Sequence, residues 1–407
     1  MKDKTPLPGK RQDVFTNPVQ LQVASTMDVN LQLHDAVVNQ EWSQAGFNAS
    51  HAIPHLKLGE ELRPMWTTAV GQGSSDDQRL LANLVVHGGH VYTMDAGAQL
   101  SCLDSKTGQV LWTKSTVGHD ISWEPMGGGL AFEDGRLFAT TSSGETSAYD
   151  TSGNELWRQN VHAPVRSAPS VKDGRLFVVT VNNEVHALDA KSGTHVWTHA
   201  GIPEVAGLLG GGSPAIKDNI VVVAYSSGEV YALDADRGDA LWSDTLVSSA
   251  RVDSISAISH IRARPIIADG KVYAISHGGR MAAIDLKTGA RLWQQDIGGM
   301  RTPALMGGYI FLVNNHDELL CLHGATGKVA WTVQLPKLTE RVTWAGPVLA
   351  GGNLILCGSN GEILFMSPQT GAKVKSLLAD APIFLSPVVA EGALFVLTDK
   401  GSVISWR

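Results

Sequence analysis

Three features of this sequence predict an all-β fold, an eight-bladed β-propeller of four-stranded antiparallel blades. The first is a short pattern repeated seven times. It reads Leu103-Asp104-Ser105-Lys106-Thr107-Gly108 with Trp112, Tyr149-Asp150 with Gly153 and Trp157, and Leu188-Asp189 with Gly193 and Trp197. It continues as Leu233-Asp234 with Gly238 and Trp242, Ile284-Asp285 with Gly289 and Trp293, Leu322 with Gly327 and Trp331, and a worn copy at Thr370-Gly371 with Lys375. The second is the period: the glycines stand 45, 40, 45, 51, 38 and 44 residues apart, a range that with strands and turns marks a propeller. The third is a pair of complementary ends. Residues 383–406 supply three strand-like runs, and Arg63-Pro64-Met65-Trp66-Thr67-Thr68 supplies an orphan fourth with Trp66 in the repeat's Trp slot. Pairing the termini in one blade closes the ring and removes open edges.

Each repeat then divides into four strands. In the third, Ala168–Lys172, Arg175–Thr180, Val185–Asp189 and His195–Thr198 are separated by turns at Asp173-Gly174, Asn182-Asn183 and Gly193, which are hairpin signals between β-favouring runs. Six first strands open with proline, at Pro169, Pro214, Pro265, Pro303, Pro347 and Pro387, where no ladder hydrogen bond is lost. The Asp and Ser or Thr of the pattern can bond turn backbone, and the glycine supplies positive φ. The tryptophans (Trp66, Trp112, Trp157, Trp197, Trp242, Trp293 and Trp331) fall on fourth strands. There a large ring can cover the gap to the next blade, provided its indole N–H finds a partner. Their repetition favours that structural role over sugar or quinone stacking. The domain division expected is residues 1–60 as a largely irregular extension, with one short helical turn near Gln40-Glu41-Trp42, and residues 61–407 as a single propeller.

Composition excludes several functions. The net charge of −7 comes with no dense basic run, so nothing reads as a nucleic-acid footprint. No apolar stretch approaches the roughly 18–20 residues that span a bilayer. Cys102, Cys321 and Cys357 are odd in number and scattered, unlike a disulfide framework or a metal site; they are expected to be buried free thiols. Residues Met1 to Gln20 carry Lys2, Lys4, Lys10 and Arg11 without an apolar centre, so they are not a secretory signal. A cytoplasmic chain and a mature exported chain both fit.

No haem, zinc-protease, P-loop or hydrolase motif is present in the sequence. His119-Asp120 with Glu124, and Asn314-Asn315-His316-Asp317-Glu318, offer oxygen and nitrogen ligands, but both read more readily as polar loops. Asp234-Ala235-Asp236 lacks the remaining ligands of a calcium loop. Gly127-Gly128-Gly129 and Gly210-Gly211-Gly212 precede no helix start, which a phosphate cradle requires; they are expected to let strands enter a crowded ring centre. No catalytic, metal or cofactor site is assigned.

With the repeats in place, residues 80–407 resemble the quinoprotein-type propellers, a group of quinone-dependent dehydrogenases and non-catalytic relatives. The dehydrogenases use adjacent cysteines, which this chain lacks. Four stretches instead resemble the BamB family: Arg251–Ser256 through Arg264-Pro265, Asp269–Ala274, Gly278–Asp285 and the closing Asp399–Arg407. Glu41–Gly46 with His51 and His55 resembles the leader of its alphaproteobacterial members. The resemblance implies a non-catalytic lipoprotein scaffold at the periplasmic face of the outer membrane. It implies binding to the barrel-assembly protein BamA, with unfolded barrel clients as a further partner class. No cysteine precedes Cys102, which fits a trimmed mature chain whose lipid anchor is absent from this sequence. The family's partner-binding loops match residues 201–213 and 247–264, placing Val205, Leu208, Leu209, Arg251, Asp253, Arg262 and Arg264 at the interface. Both loops join a fourth strand to the next first strand, so they are expected on one face as a single patch. A quinone-dependent enzyme and a glycan- or small-ligand-binding propeller are the alternatives.

Overall fold

The computed structural model describes residues 29, 31, 33, 35–118, 126–204, 209–247, 260–337 and 341–407. These form eight four-stranded antiparallel sheets. Seven are meanders, called blades one to seven in chain order: 85–115, 127–160, 170–200, 215–245, 266–295, 304–334 and 344–378. In blade three the strands are Ser170–Lys172, Arg175–Val179, Glu184–Asp189 and His195–Ala200, within two residues of expectation. Asp173 and Gly174 both have positive φ, 52° and 75°, the two-residue turn whose twist suits a hairpin. First strands are buried and fourth strands half exposed, so the first line the axis and the fourth form the rim.

Five of the six prolines stand immediately before a first strand. The sixth, Pro347, lies inside Trp344–Ala350, where the register slips between Ala345 and Val348; a bulge tolerates the missing N–H. A similar slip between Gly127 and Gly129 lets blade two crowd its neighbour. A methyl on Gly129 would stand 2.4 Å from Ala168 Cα, so that glycine serves close approach.

Blade eight closes as expected. Val388–Ala390, Ala393–Leu397 and Ser402–Trp406 are completed on the outside by Pro64–Ala69. Thr67 pairs with Ile404 and Ala69 with Ser402. Arg63 and Arg407 extend the ladder by exchanging backbone hydrogen bonds at 2.9 and 3.0 Å.

One device holds seven of the seams between blades. Trp66 lies on Gly108, Trp112 on Gly153, Trp157 on Gly193, Trp197 on Gly238, Trp242 on Gly289, Trp293 on Gly327 and Trp331 on Gly371. Each glycine belongs to the following blade, and a Cβ there would overlap the ring. Each indole N–H donates to a carbonyl of that same turn: Ser105, Thr151, Ala190, Ala235, Leu286, Gly324 and Pro368, at 2.8–3.2 Å. The repeated tryptophans are therefore structural. Between blades seven and eight Lys375 takes the slot, its Nζ 4.8 Å from the Phe365 ring centre.

Residues 37–58 carry no strand, and no helical turn forms at Gln40–Trp42. They circle the inner wall in blade order. The carbonyl of Asn39 accepts from Glu391 N (2.8 Å), Trp42 and Val86 exchange bonds at 2.8 and 3.0 Å, and Ser43 O accepts from Phe132 N at 2.7 Å. Gln44 bonds Val171 through both side-chain atoms, at 2.6 and 3.2 Å. Ala49 O, Ser50 O and Leu56 O then accept from Ile216 N, Ile267 N and Gly351 N, while Ala52 packs between blades five and six. First strands are edges with unpaired donors, and this strap satisfies them. Trp42, Leu56 and Leu58 are buried in the largest apolar cluster, which spans blades seven, eight and one.

Candidate interaction surface

A meander places its fourth-to-first connections and its second-to-third turns on one face, and the remaining turns on the other. The strap runs toward the second of these faces, near the ends of the first strands. The connections 201–213 and 247–264 flank blade four on the first face. Val205, Leu208, Arg251 and Asp253 lie outside the described residues. Leu209, Arg262 and Arg264 are described, and the two connections touch. A methyl on Gly210 would stand 3.0 Å from Arg262 Nε, and one on Gly212 would stand 2.9 Å from Ala263 O.

Hydrogen bonds from the neighbouring turns fix the start of the first connection. Ile202 N donates to Glu229 Oε2 at 2.8 Å, and Asn183 Nδ2 donates to Ile202 O at 2.6 Å. Held there, Ile202 is 58% exposed, with Leu209 at 37%, Val247 at 43% and Val181 of the adjacent turn at 41%. A cavity of about 210 Å³ between the connections is lined by Arg166, Val181, Glu204, Gly210, His260 and Ile261 among others. Burial, with Arg262 and His277 nearby, pushes His260 down to about 4, so it is neutral at pH 7. Elsewhere exposed apolar residues such as Leu111, Leu156, Leu241 and Leu292 stand singly on fourth strands, which is ordinary surface. At these connections Val181 lines the cavity, and Ile202 and Leu209 lie within two residues along the chain of Glu204 and Gly210, which line it too; exposed apolar residues near a cavity are a feature of contact sites.

Arg262 and Arg264 differ from the charged rim that the sequence led us to expect. Both are recessed toward the ring centre, where Arg264 N donates to Thr302 Oγ1 at 3.1 Å. Arg166 and Arg301 join them in lining one central pocket. These two residues were not singled out in the sequence. A signal was there: each of the four arginines falls one to three residues before a first-strand proline.

The remaining motif residues are engaged locally. His119, Asp120 and Glu124 lie outside the described residues. Asn314 Oδ1 accepts from His316 N and Glu318 N, and Asp317 pairs with Arg341 at 3.1 Å. Asp234 Oδ1 accepts from Asp236 N and Arg237 N. Among the described residues no group of three or more His, Cys, Asp or Glu is placed to hold a metal. The three cysteines are buried and free, and burial pushes the Cys102 and Cys321 thiols up to about 12.

Comparison with known proteins supplies the family. The family described as "Outer membrane protein assembly factor BamB" matches residues 63–122, 115–333 and 325–406, the whole ring. This chain belongs to the BamB family. The BamB of Yersinia pestis is 26% identical over 356 residues, 84% of this chain and 77% of that protein. The BamB of Escherichia coli K12 is 27% identical over 351 residues, 84% and 87% of the two chains. The crystal structure of BamB from Moraxella catarrhalis superposes with a TM-score of 0.73 at 17% identity, covering 85% of this chain and all of that one. A quinohemoprotein alcohol dehydrogenase from Comamonas testosteroni has a TM-score of 0.72 at 14% identity, over 91% and 81% of the chains; that likeness is one of fold. BamB membership ties the chain to outer-membrane protein assembly. Among the described residues no helix is long and apolar enough to cross a membrane.

Proposed function

We propose that this chain is a non-catalytic scaffold of the outer-membrane β-barrel assembly machinery. It works at the periplasmic face of that membrane and binds the periplasmic domains of a BamA-like protein. The observation that carries this reading is the family match across the entire ring, residues 63–406, with every repeated tryptophan committed to a seam. The contact surface we assign is the pair of connections beside blade four. Ile202, Leu209 and Val247 form its apolar centre, with Val205 and Leu208 in the same loop and Arg251 and Asp253 in the second. An apolar centre with a polar surround is the usual build of a protein interface. Unfolded barrel clients are a further partner class on this reading, and tethering to the membrane is through a lipid anchor.

Co-purification from envelope extract tests it. Ile202→Asp with Leu209→Asp is expected to leave the fold intact, since both side chains are exposed, and to weaken capture of the BamA-like partner by at least about 2 kcal/mol, as hot-spot residues do. Unchanged capture by the folded double variant would place the interface elsewhere.

A further inference from the structure

Four guanidinium groups converge at the centre of the ring, and among the described residues no carboxylate lines the cavity they share. Arg166 precedes blade three, Arg262 and Arg264 precede blade five, and Arg301 precedes blade six; together they line a cavity of about 80 Å³. The strap forms one wall of it through Ala45. Among the described residues none of the four makes an ion pair. Arg264 Nη1 reaches only Thr302 Oγ1 at 3.5 Å, and Arg301 Nη1 only the Phe384 carbonyl at 3.3 Å. Arg166 Nε is buried with no hydrogen-bond partner. The nearest strap base, His51, supplies no negative charge: its Nδ1 bonds Pro265 O at 2.8 Å, and burial beside Arg264 pushes it down to about 3, leaving it neutral.

Such a cluster is costly even in a chain whose overall charge is −7. Burial and mutual repulsion among Arg262, Arg264 and Arg301 push Arg264 and Arg301 down to about 10. At about 10, Arg264 and Arg301 remain cationic at pH 7. Seam packing does not explain them, because the seams are made by tryptophan and glycine at the rim. Planar guanidiniums around a small cavity are the arrangement that holds carboxylate or phosphate oxygens by paired, charge-assisted hydrogen bonds.

We propose that this pocket binds an oxyanion group, phosphate or carboxylate, of a small molecule, at the centre of the ring, where the recessed ends of the two connections beside blade four contribute Gly210, Gly211, Arg262 and Arg264 to its lining. The bound anion offsets the repulsion between the arginines and ties blades three, five and six together across the axis.

Calorimetric titration of the full chain with inorganic phosphate and, separately, with malonate tests the proposal, with ionic strength held constant by sodium chloride. The expected result is saturable binding of one anion, weakened at least about tenfold by Arg264→Gln or by Arg301→Gln. Arg237→Gln, on the exposed rim, should leave it unchanged. Binding of phosphate alone or of malonate alone supports the proposal and assigns the oxyanion class. In chloride at low ionic strength the two pocket variants should unfold no lower than the parent, because each removes a like charge; a purely packing role would lower both. If a variant does not fold, the parent still decides: its Tm must rise more with phosphate or malonate than with matched chloride. Absence of saturable binding of either anion, or equal affinity in both folded variants, would overturn the proposal.

Discussion

The Asp that five of the seven repeats carry (Asp104, Asp150, Asp189, Asp234 and Asp285) shows how one side chain fixes a turn and makes it sensitive to acid. Asp189 Oδ1 accepts from Lys191 N, Ser192 N and Ser192 Oγ at 2.8–3.1 Å, and Asp104 and Asp285 repeat the pattern. Bonds from Ser192 and Thr107 hold the Asp189 and Asp104 carboxyls below the usual carboxylate range. Their stabilising effect is present at neutral pH and is lost as pH falls below about 4 toward the folded values. His51 and His260 add an earlier loss. They are neutral in the fold, whereas the unfolded chain binds protons below about 6.5, so stability declines as pH falls from there toward 4 and 3. Thermal unfolding followed across pH 7 to about 3 is therefore expected to show Tm falling in two stages. His260→Gln should flatten the first stage and Asp189→Asn the second; an unchanged profile in both variants would refute the assignment. These turns were legible from spacing alone, because Asp, Ser or Thr and Gly act within a few residues of one another. The arginine pocket was not, because its members come from three connections and meet only once the ring closes.

At the scale of elements, the strands and their boundaries were readable because every blade repeats the same turn chemistry. The strap was not. Asn39, Trp42, Ser43, Gln44, Ala49, Ser50 and Leu56 follow no period of two or 3.6, and their partners include backbone N–H groups on seven different blades. Irregular sequence thus predicted an extension, while the structure places residues 37–58 as the lining of the inner wall. Deleting residues 1–60 leaves the closing strand Pro64–Ala69 in place but uncovers the donors of Val86, Phe132, Ile216 and Ile267. The truncated chain is expected to keep its β circular-dichroism spectrum and to unfold at a clearly lower temperature, each uncovered buried donor costing about 1–3 kcal/mol if left unpaired. Equal thermal stability of the two chains would show the strap to be dispensable.

At the scale of the whole molecule, the ring is one cooperative object, since each blade buries its faces only against its neighbours. Closure depends on Pro64–Ala69 pairing with Ser402–Trp406. A fragment of residues 71–407 loses that strand and the Trp66 seam, leaving an open edge; it is expected to aggregate or melt far below the parent. A stable monomeric fragment in size-exclusion chromatography would contradict closure. With the ring closed, its two faces differ: one carries the connections beside blade four, the other the tight turns at Asp173, Asp218 and Asp269. Photo-crosslinking in intact envelopes tests most directly which face meets the assembly machinery. A photoreactive residue placed singly at 202, 209 or 247 is predicted to crosslink to the BamA-like partner, and one at 173, 218 or 269 is predicted not to. Crosslinks from the second set and none from the first would contradict the assignment of this surface.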